Sequence, residues 1–423
     1  MPAVAGMIPV GLDAEGLERL LARPSVAVCL AALRAEGEET RLVGGCVRDA
    51  LLGQDAADID LATTHPPART MALARAAGLK AVPTGFDHGT VTLVVDGTPV
   101  EVTTLRQDIE TDGRHAVVRF GRDFRRDADR RDFTINALSL DADGALHDPA
   151  DGLADLDAGR VRFIGDPATR IREDSLRALR FFRFHARFGR GEPDPAGLRA
   201  VIAARASLDR LSRERVRAET LKLLLAPRAV PAIAVMSETG LLAGLVGGVG
   251  DLGRLARAAT DAGAPAAARL AALCVQTVED AERLRDRLRL SKAEYAHLAD
   301  YAAAASDLRS RKDIESRDVR GLAAVHGPLM VAEVLRALGG EPRPRVEPEA
   351  LSILAGLVAS RNRPVLPLGG GDLVARGLRP GRAVGRGLAA ARTLWLSEGC
   401  PMDDAARGRL IAYALAEANE RAG

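Results

Sequence analysis

Residues 41–62 read RLVGGCVRDALLGQDAADIDLA, and two features of this stretch set the fold. Arg41-Leu42-Val43 has the composition of a short strand running into Gly44-Gly45, and Cys46 to Leu52 follows as a helix carrying Arg48 and Asp49. Paired glycines let backbone N–H groups approach a triphosphate, and the helix start and Arg48 add positive charge. The competing reading is a plain tight turn. Farther on, alternation in Asp58-Ile59-Asp60-Leu61-Ala62 places both aspartates on one strand face, with Ile59 and Leu61 toward the core.

Two carboxylates held together repel each other, and a hard divalent cation such as Mg²⁺ turns that repulsion into binding. Two exposed aspartates at a strand end are the bland alternative. A third acid shifts the balance: in Pro99-Val100-Glu101-Val102-Thr103 the valines face inward, so Glu101 projects from the other face. This run follows Thr90 to Val95 across Asp96-Gly97, a dipeptide that supplies positive φ for a hairpin. Asp58, Asp60 and Glu101 on adjacent strands are therefore candidates for a two-metal site.

Asp143-Gly144 repeats the hairpin signal between Ala137–Leu140 and Ala145–His147, while 107–130 is polar and reads as a mobile loop. Arg131 to Ala137 follows that loop, and its charged start suits a cleft lining, with surface salt bridging as the alternative. In Glu173 to Arg180 the spacing predicts a helix, with Asp174 and Arg177 at i and i+3 on one face. A solvated ion pair would explain them. So would base recognition: cytosine and adenine both place an amino donor beside a ring-nitrogen acceptor, so Asp174 could accept from the first and Arg177 donate to the second.

The chain has 423 residues, 47% hydrophobic and 27% charged, which suits a folded protein of about three domains. Strand signals lie before about residue 147, and the remainder is Ala, Leu and Arg at helical spacing, broken at Ala226-Pro227 with Pro231 and again between Gly339 and Pro348. Net charge is +2, so a nucleic-acid partner would need a local basic face. Aromatic residues are 3%, which argues against a base-stacking sheet of the RRM kind. Cys29, Cys46, Cys274 and Cys400 are scattered without metal-ligand spacing. Met1 to Leu20 has no basic stretch ahead of an apolar run, and no apolar segment is long enough to cross a bilayer, so a cytoplasmic protein with no membrane partner is expected.

Together these blocks resemble the class II tRNA nucleotidyltransferase and bacterial poly(A) polymerase family of the polymerase β superfamily. Leu42 to Ala62 is similar to its GGxVRDxxLG…DxD block, Arg131 to Ala137 to RRDFTxNA, Asp148 to Leu156 to DPxxGxxDL, and Glu173 to Arg180 to EDxxRxxR. Ser212 to Pro227 resembles the next helical block, and Pro367 to Gly387 the tRNA-binding tail; between them the likeness is faint. The resemblance implies an α+β chain: a helical lead-in at 1–30, a head with a small mixed or antiparallel sheet at 31–147, then an all-α neck at 148–228, body at 229–345 and tail at 346–423.

It also implies roles. Asp58 and Asp60 would hold two Mg²⁺ ions with Glu101 assisting. Gly44, Gly45 and Arg48 would meet the triphosphate, and Arg131 and Asp132 the ribose, with Asn136 in the same nucleotide-binding block. Asp174 and Arg177 would read the base, and Arg180 is carried over beside them. The implied reaction is addition of C, C and A from CTP and ATP to the 3′ end of tRNA, with the 107–130 loop adjusting the pocket. A poly(A) polymerase or an enzyme adding only A or only C shares these blocks. A non-catalytic RNA-binding relative would not need all three acids. A phosphohydrolase dyad at His147-Asp148 lacks companion histidines, and small-molecule nucleotidyltransferases lack the long helical remainder.

Overall fold

The computed structural model describes residues 8–35, 37–111 and 116–420, with side chains outside 107–119 and 419–420. It divides into two compact units, residues 1–232 and 233–423.

The first unit holds a seven-stranded sheet in the order β3-β4-β5-β2-β1-β8-β9. The strands are β1 (Thr40–Val43), β2 (Asp60–Thr63), β3 (Lys80–Gly85), β4 (Thr90–Val95), β5 (Thr98–Thr104), β8 (Ser139–Asp141) and β9 (Leu146–His147). The β4–β5 hairpin turns at Asp96 and Gly97 with φ of 48° and 80°, the doubly positive geometry that an Asp-Gly pair supplies. Between β2 and β5 the pairing is parallel, with Asp60 in register with Glu101; the other pairs in this sheet are antiparallel.

One face of the sheet is covered. Leu42, Leu61, Val91, Leu93, Val100 and Val102 are all 1% exposed or less. Helices α1 (Ala14–Leu21), α2 (Pro24–Ala32), α3 (Gly45–Leu51) and α4 (Pro67–Ala76) belong to this layer, with α2 and α4 packed on β4 and β5. The alternation of Thr90 to Val95 and Pro99 to Thr103 therefore does what a half-buried strand requires, apolar toward the helices and polar away.

The segment expected as a loop at 107–130 is regular over most of its described length. β6 (Arg106–Thr111) and β7 (Ala116–Phe120) form a separate antiparallel pair, followed by α5 (Phe124–Asp129) capped by Asp123; residues 112–115 lie outside the described residues. Main-chain pairing organises the hairpin, and apolar periodicity does not register that.

Helices α6 (Gly152–Asp157), α7 (Pro167–Glu173), α8 (Leu176–Phe188), α9 (Pro195–Ala203) and α10 (Arg213–Leu224) complete the unit. The continuous helix expected over Glu173 to Arg180 is broken: α7 ends at Glu173, and Asp174 is extended with φ −148° and ψ 105°.

The second unit is helical apart from a two-residue parallel pairing of Asp313–Ile314 with Arg345–Val346. Toward its end Trp395 is 2% exposed and packs in a cluster with Leu373, Ala391, Leu410 and Ala414, its indole N–H donating to the Pro401 carbonyl at 3.0 Å. Among the described residues no single helix is long and apolar enough to cross a membrane. All four cysteines are unpaired and buried, and burial pushes the Cys46 thiol up to about 11.

Candidate active site

The sheet face away from the helices carries Asp60 and Glu101, while Asp58, expected on the same strand, lies in a bend before β2. Ile59 and Leu61 are buried at 5% and 1%, whereas Asp58 is exposed, Asp60 half-buried and Glu101 exposed. Asp60 and Glu101 are direct neighbours across the parallel β2–β5 pair. Burial and then the Glu101 charge raise the Asp60 carboxyl above its ordinary value; Asp58 adds to this and Arg131 opposes it. The donors are all carboxylate oxygens, which suits a hard divalent cation, and such an ion would relieve the repulsion seen at Asp60. Among the described residues no three acid, His or Cys side chains already converge on one point. The residues fit a divalent ion in kind, as carboxylates, and in neighbourhood, with Asp60 and Glu101 paired across adjacent strands.

At the end of β1 the chain turns at Gly44 with φ 71° and ψ −120°, a conformation that only glycine adopts at little cost. A Cβ there would stand 2.7 Å from Arg131 Nη1. Arg131 thus lies directly over the glycine turn, and its charge acts on Asp60. Asp127 holds its Nη2 at 3.2 Å and Nε at 3.4 Å.

Arg48 lies at the second glycine, its Nη2 3.6 Å from where a Gly45 Cβ would stand. It is 5% exposed, donates to Asp49 at 2.6 and 2.8 Å and to the Asn136 side-chain oxygen at 2.5 Å, and sits 4.0 Å from the centre of the Phe188 ring. From it a hydrogen-bonded chain continues: Asn136 Nδ2 donates to Asp132 Oδ1 at 2.9 Å, and Arg180 Nε donates to Asp132 Oδ2 at 2.7 Å. Burial would raise Asp132, but the Arg180 charge and hydrogen bonds from Asn136, Arg180 and the Phe133 N–H hold its carboxyl below the usual value. Four of the expected nucleotide-binding residues, Arg48, Asn136, Asp132 and Arg180, are therefore one connected network that fastens α3 to α8.

Asp174 and Arg177 do not pair. Asp174 Oδ2 accepts from Arg215 Nη2 at 2.7 Å, and its Oδ1 accepts from the Leu176 N–H at 3.1 Å. Arg177 donates to Glu173 at 2.6 Å and to the Arg130 carbonyl at 2.9 Å. Glu219 on α10 accepts from Arg183 at 2.5 Å and lies 3.9 Å from Arg180.

Residues that sequence reasoning passed over are thus Asp49, Asp127, Glu173, Arg215 and Glu219. Asp127 was findable, three and four places before Arg130 and Arg131, as was Glu173, four before Arg177. Arg215 and Glu219 also stand four apart, but their partners are Asp174, just past α7, and Arg180 and Arg183 on α8, which spacing cannot reveal. His147 and Asp148 separate by function: His147 binds Asp141 at 3.0 Å, while Asp148 accepts the N–H groups of Gly152 and Leu153 at 2.7 and 2.9 Å, opening α6.

A small mixed sheet with an open acidic face beside a glycine turn, backed by helices, defines the class: a nucleotidyltransferase head on a helical chain. Residues 40–162 match the family described as the Poly A polymerase head domain, and 192–249 match a probable RNA- and SrmB-binding site of polymerase A. A CCA-adding enzyme of Limosilactobacillus fermentum is 34% identical over 369 residues, 85% of this chain and 89% of the relative. The mitochondrial CCA tRNA nucleotidyltransferase 1 of Danio rerio is 37% identical over 262 residues, 60% of this chain. That match spans 61% of the relative, so the chain aligns with about three-fifths of its length. The solved CCA-adding enzyme of Bacillus stearothermophilus in complex with CTP superposes with a TM-score of 0.72 at 27% identity, covering 95% of this chain and 99% of that one. The chain belongs to the CCA-adding enzyme family. Membership of this nucleotidyltransferase family implies use of a divalent metal.

Proposed function

We propose that the chain adds C, C and A to the 3′ end of tRNA from CTP and ATP, with no nucleic-acid template. The observation that carries this reading is the Asp60–Glu101 pair, with Asp58 two residues away, on an open face beside the Gly44 turn. The relatives' names, CCA-adding enzyme and CCA tRNA nucleotidyltransferase, point the same way, as does the CTP held by the Bacillus stearothermophilus protein.

Asp58 and Asp60, with Glu101 assisting, would hold two Mg²⁺ ions, whose chemistry is to acidify the attacking hydroxyl and neutralise the departing pyrophosphate. The protein's own contribution is placement and charge. Gly44 and Gly45 leave the backbone open to the triphosphate, and Arg131 is the cation over that turn. Arg48, buried and paired, serves better as the strut that positions Asn136 and Asp132. The RNA 3′-hydroxyl attacks the α-phosphate in line, forming a P–O bond as the bond to pyrophosphate breaks. Asp174 and Arg177 read the base, each steadied by its own partner, Arg215 and Glu173. The neck at 148–228 would carry these readers, and the tail from 346 would grip tRNA in the cytoplasm.

The test is incorporation of labelled CTP and ATP into tRNA lacking its terminal CCA, with Mg²⁺ present. Addition of C, C and A followed by arrest is the expected result. Long A tails would replace this reading with polyadenylation, and no incorporation would overturn it.

A further inference from the structure

A pocket of about 660 Å³ opens on the acidic face of the sheet, bordered by Arg41, Arg122, Phe124, Arg125, His147 and Asp148 among others. Strand register places the pocket. Arg41 pairs with Ala62 on one side and Asp141 on the other, and Ser139 pairs with Val43 and with His147. Directly opposed residues share a face, so Arg41, Ser139 and His147 look the same way as Asp60 and Glu101. Strands β2 and β8 are separated only by β1, which puts Ser139 about 10 Å from Asp60 at the usual strand spacing.

The direction matters as well as the distance. Gly44 follows the last residue of β1, whereas Arg41 and Glu39 lie toward its start. In-line displacement requires the attacking hydroxyl to arrive opposite the leaving pyrophosphate. With the triphosphate at the Gly44 end, the RNA end comes from the other side, where this pocket lies. Between pocket and acids runs an apolar floor of Val43, Ala62 and Leu105, covered by Phe124.

The charges in the pocket are unequally committed. Glu39 is occupied by Arg41 at 2.5 Å, and Arg41 stacks on Phe124 at 4.0 Å. Asp123 accepts the N–H groups of Arg125 and Arg126 at 2.9 and 3.2 Å, capping α5. Asp148 is filled by the α6 backbone. Arg122 is clamped by Glu38 at 2.8 and 2.9 Å. Among the described residues, Arg125 is exposed and has no acidic partner. With the acids satisfied, what the pocket offers a ligand is arginine.

We propose that this pocket receives the last nucleotides of the RNA 3′ end, with a backbone phosphate on Arg125 beside Arg122, and so aims the terminal hydroxyl at the α-phosphate. This rests on the reading under Proposed function, and it deepens that reading by assigning the acceptor side of the site. Arg125 is a positioning residue here, since it meets RNA and not the reacting atoms.

The test compares Arg125→Ala with Arg126→Ala in the full chain. Arg126 is the exposed neighbour on the same helix, paired to Asp123 at 3.5 Å and outside the pocket lining. Binding of tRNA lacking its CCA end is measured over a salt series, beside KM for tRNA and for CTP. Arg125→Ala should raise Kd and KM for tRNA about tenfold and lower the salt slope by about 1, the signature of one lost phosphate contact. KM for CTP and the melting temperature should not move, and Arg126→Ala should behave as wild type. Wild-type tRNA binding by Arg125→Ala, or an equal loss in both variants, would overturn the pocket assignment while leaving CCA addition standing. A wild-type protein that incorporates nothing would overturn both.

Discussion

Asp174 is bound to Arg215, 2.7 Å away on a separate helix, and not to Arg177 three residues along its own chain. A pair that spacing alone would close into a surface ion pair is held open, each member aimed by a different neighbour. That changes what mutation should do. Arg215→Ala should loosen Asp174 and raise KM for CTP and ATP by roughly tenfold, the scale of one charge-assisted hydrogen bond, with UTP and GTP entering more often. Nucleotide competition assays read this directly; unchanged selectivity would remove Arg215 from base reading.

Exchanging Asp174 and Arg177 would bring an arginine to Arg215 and an aspartate to Glu173. The double variant should therefore lose stability before it inverts base preference. Calorimetry beside the incorporation assay separates the two effects, and an intact melting temperature with inverted preference would contradict the observed pairing.

Asp60 has a carboxyl raised by burial and by Glu101. A group whose folded value lies above its unfolded one disfavours folding, fully once pH exceeds the folded value, and that cost falls away as pH drops from the folded toward the unfolded value. Asp60→Asn should thus leave stability at neutral pH equal or higher while abolishing turnover. Mg²⁺ should raise the melting temperature of the wild type at neutral pH and have little effect on the variant. An Asp60→Ala protein that still extended RNA at near-normal rate would overturn the metal assignment, and Asp58→Ala should behave as Asp60→Ala.

Asp132 has the opposite sign. Its carboxyl is held down although buried, so its contribution is present above the unfolded value and lost as pH falls through the folded one. Asp132→Ala should cost about 3 kcal/mol by stranding Arg180 and Asn136. Denaturant melts at pH 7 and in acid would show a deficit that narrows at low pH.

Gly44→Ala places a side chain at φ 71° and against Arg131. The expected loss is about 1–2 kcal/mol from backbone conformation, with a larger rise in KM for nucleotide than for tRNA. Equal changes in both would point to general unfolding and not to the cradle.

Local chemistry was enough for much of this. Asp96-Gly97 determines its hairpin because two successive positive φ angles are cheap for Asp-Gly and few other dipeptides. Asp60 and Glu101 could be assigned to the polar side of their strands because Leu61, Val100 and Val102 alternate with them, whereas Asp58 lies in a bend before β2. Gly44 announces a turn because other residues pay for that backbone. What could not be read is everything set by a partner far along the chain. The β6–β7 pair rests on main-chain bonds with no apolar signature. The break at Asp174 lies within a stretch whose residues all tolerate helix, and a distant group, Arg215, holds its carboxylate.

By itself the sequence determined the β4–β5 hairpin, the strand face on which Asp60 and Glu101 stand and the family, since these follow from period, turn chemistry and ordered motifs. Tertiary structure alone decided the parallel register that sets Asp60 level with Glu101, that Arg131 stands over Gly44, and that Arg215 holds Asp174. Those outcomes depend on which strand and which helix become neighbours. Folding selects them by burying the apolar face and pairing charges over distances that no local pattern records.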